Sequence, residues 1–163
     1  MGERSAAFEA FYAWHYAPLC RGLTLALHDP HLAEEAAQEA FIRAYVSWRR
    51  VERMESPAGW VYVVAVRVAS RRRRTAASPR TEARADELAE TVVVRESVRD
   101  AIAQLPERQR LAVVLRYFAD LSLADIAAAM GCAVGTVKST LHSALARLEV
   151  ELDDDIEEVH DAS

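Results

Sequence analysis

The chain has 163 residues, 52% of them hydrophobic, with only five glycines, five prolines and two cysteines. That composition suits an all-α protein of one ordinary domain or two small ones. It lacks any run of about 18 apolar residues, so no membrane insertion is expected, and the N-terminal MGERSAAFEAF has no apolar signal core. Cys20 and Cys132 are too few and too far apart for a disulfide framework or a zinc site. The net charge of −5 is unevenly placed. Glu151, Asp153, Asp154, Asp155, Glu157, Glu158 and Asp161 crowd the last residues without a single Lys or Arg, so the body of the chain is slightly basic.

From Ala6 to Leu27, Phe8, Phe11, Tyr12, Trp14, Tyr16, Leu19, Leu23 and Leu27 recur at helical spacing and predict an amphipathic helix, bent near Pro18. Asp29 and Pro30 break it and open a second helix from about His31 to Trp48. Leu32, Ala36, Ala40, Phe41, Ala44, Tyr45 and Trp48 form its apolar stripe. Glu34, Glu35, Gln38, Glu39 and Arg43 form an opposing, mostly acidic face. Pro57 suits the first turn of a third helix, carrying Trp60, Val61, Val64, Ala65 and Val68 and ending in Arg71, Arg72, Arg73 and Arg74. Four cations at a helix C-terminus complement its dipole. With Arg67 one turn earlier, they also make the electrostatic footprint of phosphate binding, which is the preferred reading.

The polar stretch TAASPRTEARADEL at 75–88 reads as a flexible linker. A helix resumes near Glu90, with Val94, Val98, Ile102 and Leu105 in phase. Pro106 punctuates it, and Glu107 to Phe118 gives another helix with Leu111, Val114, Leu115 and Phe118 inward. Ser122 and Asp125 have the spacing of a capping box, Gly131 suits a left-handed helix stop, and a last helix starts near Val134. Val137, Leu141, Ala144 and Leu148 make its inward stripe; Thr136, Lys138, Ser139, Thr140, His142, Ser143 and Arg147 face the other way. This is the grammar of a helix-turn-helix, whose second helix enters the major groove. These four helices are expected to pack without help from the first module.

Taken together, AEEAAQEAFIRAYVSW, SPAGWVYVVAVRVASRRRR and LPERQRLAVVLRYFADLSLADIAAAMGCAVGTVKSTLHSALARL resemble regions 2 and 4 of the extracytoplasmic-function (ECF) group of sigma-70 factors. The resemblance implies an all-α chain of two helical domains. Region 2 is a three-helix bundle over 1–74, and 75–89 is the linker. Region 4 is a four-helix domain over 90–149, and an acidic, disordered tail follows over 150–163. It implies an alternative sigma factor that directs core RNA polymerase to promoters in the cytoplasm. It is not an enzyme, and no cofactor or metal is implied. Glu35, Gln38, Glu39, Phe41 and Arg43 would dock on the clamp coiled coil of polymerase. Trp60, Arg67, Arg71, Arg72, Arg73 and Arg74 would lie along the −10 element, with core packing preferred for Trp60. Thr136, Lys138, Ser139, Thr140, His142 and Arg147 would read the −35 element. An anti-sigma factor is the implied protein partner.

The chain also departs from the family pattern. Family members commonly carry arginine at the positions of Thr140 and Ser143, asparagine at Arg67, aspartate near Arg71, and serine at Ala133. Two rivals therefore stay open: a sigma-like DNA-binding regulator, and an adaptor that binds polymerase or an anti-sigma factor without initiating transcription. A solubilising role is preferred for the tail, with folding back onto Arg71–Arg74 or the recognition helix as the alternative.

Overall fold

The computed structural model describes residues 2–76 and 93–161, so the expected linker lies almost wholly outside the described residues. The first helix, α1 (Gly2–Leu27), runs through Pro18 as one element. Asp29 then caps α2 (Pro30–Val46): its Oδ1 accepts from the Leu32 N–H at 2.9 Å, and Pro30 fills the first turn, where an N–H would be unused. A single turn, α3 (Trp48–Val51), precedes α4 (Pro57–Thr75), which Ser56 caps through its Oγ and the Gly59 N–H at 3.0 Å. Replacing Asp29 with Ala is expected to lower stability by about 1 kcal/mol. The check is urea denaturation, where the midpoint should fall at constant m value; an unmoved midpoint would remove the cap from the account.

The second half comprises α5 (Val93–Gln104), α6 (Glu107–Val113), a π-helical turn (Val114–Phe118), α7 (Leu123–Met130) and α8 (Val134–Asp161). One expectation needs correction here. The helix predicted over Glu107–Phe118 does not stay α-helical. The Ala119 N–H reaches back five residues to the Val114 carbonyl at 3.1 Å, widening the last turn. Val114 and Leu115 stay buried, but Tyr117 and Phe118 turn outward, so Phe118 is 51% exposed and not a core residue. Helix α8 continues to Asp161, and VELDDDIEEVHD contains neither Gly nor Pro to stop it.

The halves share one core. Leu19, Leu23 and Leu27 of α1 belong to the same buried cluster as Phe41 of α2, Val61 and Ala65 of α4, Ile102 of α5, Leu115, Ile126 of α7 and Leu141 of α8. Helix α1 packs against α2 and α4 on one side and against α5, α6 and the π-helical turn on the other; α4 also packs against α7. The second half, expected from its helix count to pack without help, thus also packs against the first.

Candidate nucleic-acid interface

The helix-turn-helix is built by local chemistry. Ser122 Oγ accepts from the Asp125 N–H at 3.1 Å and donates to Asp125 Oδ2 at 2.8 Å, fixing the start of α7. Gly131 ends it at φ 64°, a left-handed conformation that side chains rarely adopt, and the Cys132 N–H closes on the Ala127 carbonyl at 3.1 Å. On α8, Val137, Leu141, Ala144 and Leu148 are buried. Thr136, Lys138, Ser139, His142 and Arg147 are exposed and Thr140 is half-buried, all on the outward side predicted for them. Ser139 Oγ and Thr140 Oγ1 both donate to the Thr136 carbonyl, at 3.0 and 2.7 Å. In these rotamers the hydroxyls offer acceptor oxygens only, so Lys138 and Arg147 carry the donors.

The arginines of α4 behave differently from one another. Arg67 is exposed and donates through Nη2 to the Ala128 carbonyl of α7 at 3.2 Å. Arg72 Nη1 pairs with Glu35 Oε2 of α2 at 2.9 Å. Arg73, only a quarter exposed, pairs with Glu107 of α6 and donates to the Leu27 carbonyl. Arg71 and Arg74 are exposed and make no side-chain hydrogen bond or ion pair with any described residue. Trp60 is half-buried against the core. The six predicted −10 residues thus share one helix, and among its arginines only Arg71 and Arg74 lack a side-chain partner among the described residues.

On α2 the predicted docking set divides. Glu35 and Glu39 are half-buried and Gln38 and Arg43 exposed; Arg43 Nε pairs with Glu39 Oε1 at 2.9 Å, and Gln38 Nε2 donates to Glu34 Oε1 at 3.3 Å. Phe41 does not belong to that surface. It is 3% exposed at the centre of a ring cluster, with Phe8, Phe11, Tyr12 and Tyr16 at centroid distances of 6.5, 5.8, 5.1 and 5.6 Å. Tyr45, placed in the inward stripe by its spacing, is 59% exposed. With Ile42 and Val46, also exposed, it makes an apolar patch that the sequence reading missed. The available signal was the run Phe41-Ile42-Arg43-Ala44-Tyr45-Val46, whose apolar residues span too wide an arc for one buried stripe.

A second set of arginines gathers at the end of α1, whose own last turn has no basic residue. Arg110 of α6 is 7% exposed; its Nε donates to the Ala26 carbonyl at 2.8 Å and its Nη1 to the Leu105 carbonyl at 2.9 Å. Arg73 reaches the neighbouring Leu27 carbonyl from α4. Each half of the chain thus sends one guanidinium to satisfy the orphan carbonyls and negative dipole end of α1. His28, in the left-handed conformation at φ 51°, sits beside them. Partial burial, then Arg110 and Arg73, hold its pKa below the usual histidine value. Among the described residues no group of His, Cys, Asp and Glu could hold a metal ion, and no helix is long and apolar enough to cross a membrane.

Residues 8–78 match the family described as Sigma-70 region 2, and residues 95–148 match Sigma-70, region 4. The chain is 33% identical to the RNA polymerase sigma-E factor of Streptomyces coelicolor over 158 residues, spanning 93% of this chain and 89% of that protein. It is 35% identical to the RNA polymerase sigma-H factor of Pseudomonas aeruginosa over 138 residues, 72% of each. With the ECF RNA polymerase sigma factor SigL of Mycobacterium tuberculosis it shares 30% over 159 residues, 91% and 90% of the two chains. In fold it is similar to the sigma factor RpoE of Bartonella quintana, solved with the anti-sigma factor NepR, at a TM-score of 0.68 and 22% identity over 90% of this chain and 97% of that one. A helix-turn-helix with a polar reading face, on a chain that both region families cover in order, belongs to the sigma-70 family, in its ECF group.

Proposed function

We propose that this sigma factor reads the −35 element with the outward face of α8 and the −10 element with α4, while α2 holds core RNA polymerase. One observation carries the reading: an α8 whose stripe Val137, Leu141, Ala144 and Leu148 is buried presents Thr136, Lys138, Ser139, His142 and Arg147 to solvent. Lys138 and Arg147 supply the charged donors, and Arg71 and Arg74 are ready for backbone phosphates. The polymerase surface comprises Gln38, Glu39 and Arg43 around the apolar patch of Ile42, Tyr45 and Val46, a polar rim about an apolar centre. The site of action is the cytoplasm, where polymerase and promoter meet, and an anti-sigma factor of the kind bound to RpoE is the expected inhibitor.

Run-off transcription with purified core polymerase on a genomic fragment library tests this reading. Discrete transcripts sharing a −35/−10 pair are expected, and none in spite of measured core binding would overturn it. The double variant Ile42→Glu, Tyr45→Glu should weaken binding to core by about 2 kcal/mol, roughly 30-fold, without altering duplex binding by α8. Unchanged affinity for core would move the docking surface elsewhere. The rival reading, a sigma-like regulator or adaptor without initiation, is favoured by one feature: Arg67 and Arg73 are engaged within the chain. For α4 to receive DNA along its length, those contacts must part.

A further inference from the structure

A cavity of about 520 Å³ lies where the two halves of the chain meet. Pro18 and Leu25 of α1, Val98 of α5 and Phe118 of the π-helical turn supply apolar walls, and Tyr62 of α4 closes the floor. The volume falls within the roughly 300–1,000 Å³ of pockets that enclose small organic ligands. Gly22 keeps it clear: a Cβ there would stand 3.0 Å from Tyr62 Oη, and a longer side chain would project into the space. The widened turn matters too, since it carries Phe118 out of the core and onto the cavity wall.

The polar groups of the cavity point to the sign of its ligand. The Tyr62 hydroxyl already donates to the Pro18 carbonyl at 3.3 Å. Arg21 of α1 and Arg99 of α5 both line the cavity, are exposed, and make no hydrogen bond or ion pair with any described residue. No acidic side chain is among the described walls. Charge of one sign over a low-dielectric lining concentrates anions, and a guanidinium fork matches a carboxylate in geometry. An apolar groove bordered by cations suits a ligand with an aliphatic body and one anionic head.

We propose that the junction cavity binds an acyl carboxylate of medium chain length, its chain among Pro18, Leu25, Val98 and Phe118 and its head between Arg21 and Arg99. The walls come from α1 and α4 on one side and from α5 and the π-helical turn on the other. The ligand therefore binds the joined halves and not separated ones. At one hundred times its dissociation constant it would shift the balance toward the joined state about 100-fold. The effect on transcription rests on the promoter reading above; the binding itself does not.

The test is isothermal titration of decanoate, kept below micelle-forming concentrations, into the full chain, with 1-decanol as the uncharged comparison. One saturable site is expected, at least tenfold weaker for decanol. It should also weaken at least tenfold in the double variant Arg21→Gln, Arg99→Gln and in the cavity-filling variant Val98→Trp. Circular dichroism and thermal melting check folding, and the exposed arginine pair serves if the tryptophan variant melts early. Equal affinity in the parent and the arginine variant, non-saturating uptake, or decanol binding as tightly as decanoate would each overturn the proposal. The titration contains no polymerase and no DNA, so its failure and a failed run-off assay are separate results.

Discussion

Replacing Arg110 with methionine should destabilise the chain by about 3 kcal/mol, the sum expected for two hydrogen bonds from a charged donor less the relief of burying one charge fewer. The side chain is 7% exposed and joins Ala26, at the end of α1, to Leu105, the residue that follows α5. Methionine nearly fills the volume but donates nothing, so both carbonyls lose a buried partner. At about 2–4 °C per kcal/mol for a chain of this length, the melting temperature should fall by about 6–12 °C. Arg110→Lys keeps the charge but not the fork, and should recover only part of the loss. Thermal unfolding followed by circular dichroism checks this, and a change within about 0.5 kcal/mol, typical of a surface site, would refute the bridging role.

Gly59→Val is the second large effect, about 2–4 kcal/mol. The backbone of Gly59 is helical, so the cause is space: a Cβ would sit 2.7 Å from Leu121 Cδ2 and 2.7 Å from Ser56 Oγ. The valine must displace the Ser56 cap, worth about 1 kcal/mol, and push on Leu121, where overpacking costs about 1–3 kcal/mol. Leu121 is 1% exposed, and its truncation to Ala alone should cost about 2–5 kcal/mol. Joined, the two changes should cost at least about 1 kcal/mol less than their sum, because the lost leucine methyls make room for the valine. Strict additivity in urea titrations would mean that α4 and the segment before α7 do not press on each other in solution.

Helix positions were readable because their signals are local. Pro30 after Asp29, Pro57, the Ser122–Asp125 pair and Gly131 each act within one turn, and the α8 stripe repeats at helical spacing. The junction was not readable. Arg110 sits in ERQR, which looks like a solvated run, and its acceptor on Ala26 lies 84 residues away. The π-helical turn replaces one backbone ladder by another of almost equal pattern, so Phe118 kept its place in a stripe it does not join. Tyr45 left the inward stripe that Phe41 joined for a related reason. When Phe41, Ile42, Tyr45 and Val46 are all apolar, periodicity does not say which arc of the helix faces the core; the rings of Phe8, Phe11, Tyr12 and Tyr16 do.

The arginines at the end of α1 have a consequence for how the chain is made. Leu27 leaves the ribosome 46 residues before Arg73, and Ala26 leaves 84 residues before Arg110. At about 5–20 residues per second, the last turn of α1 waits roughly 4–17 s for its second guanidinium. During that interval the nascent first half carries a helix end solvated by water and an apolar flank still without its cover. The growing chain is thus most open to capture by chaperones or premature partners before Arg110 arrives, and least so once it has.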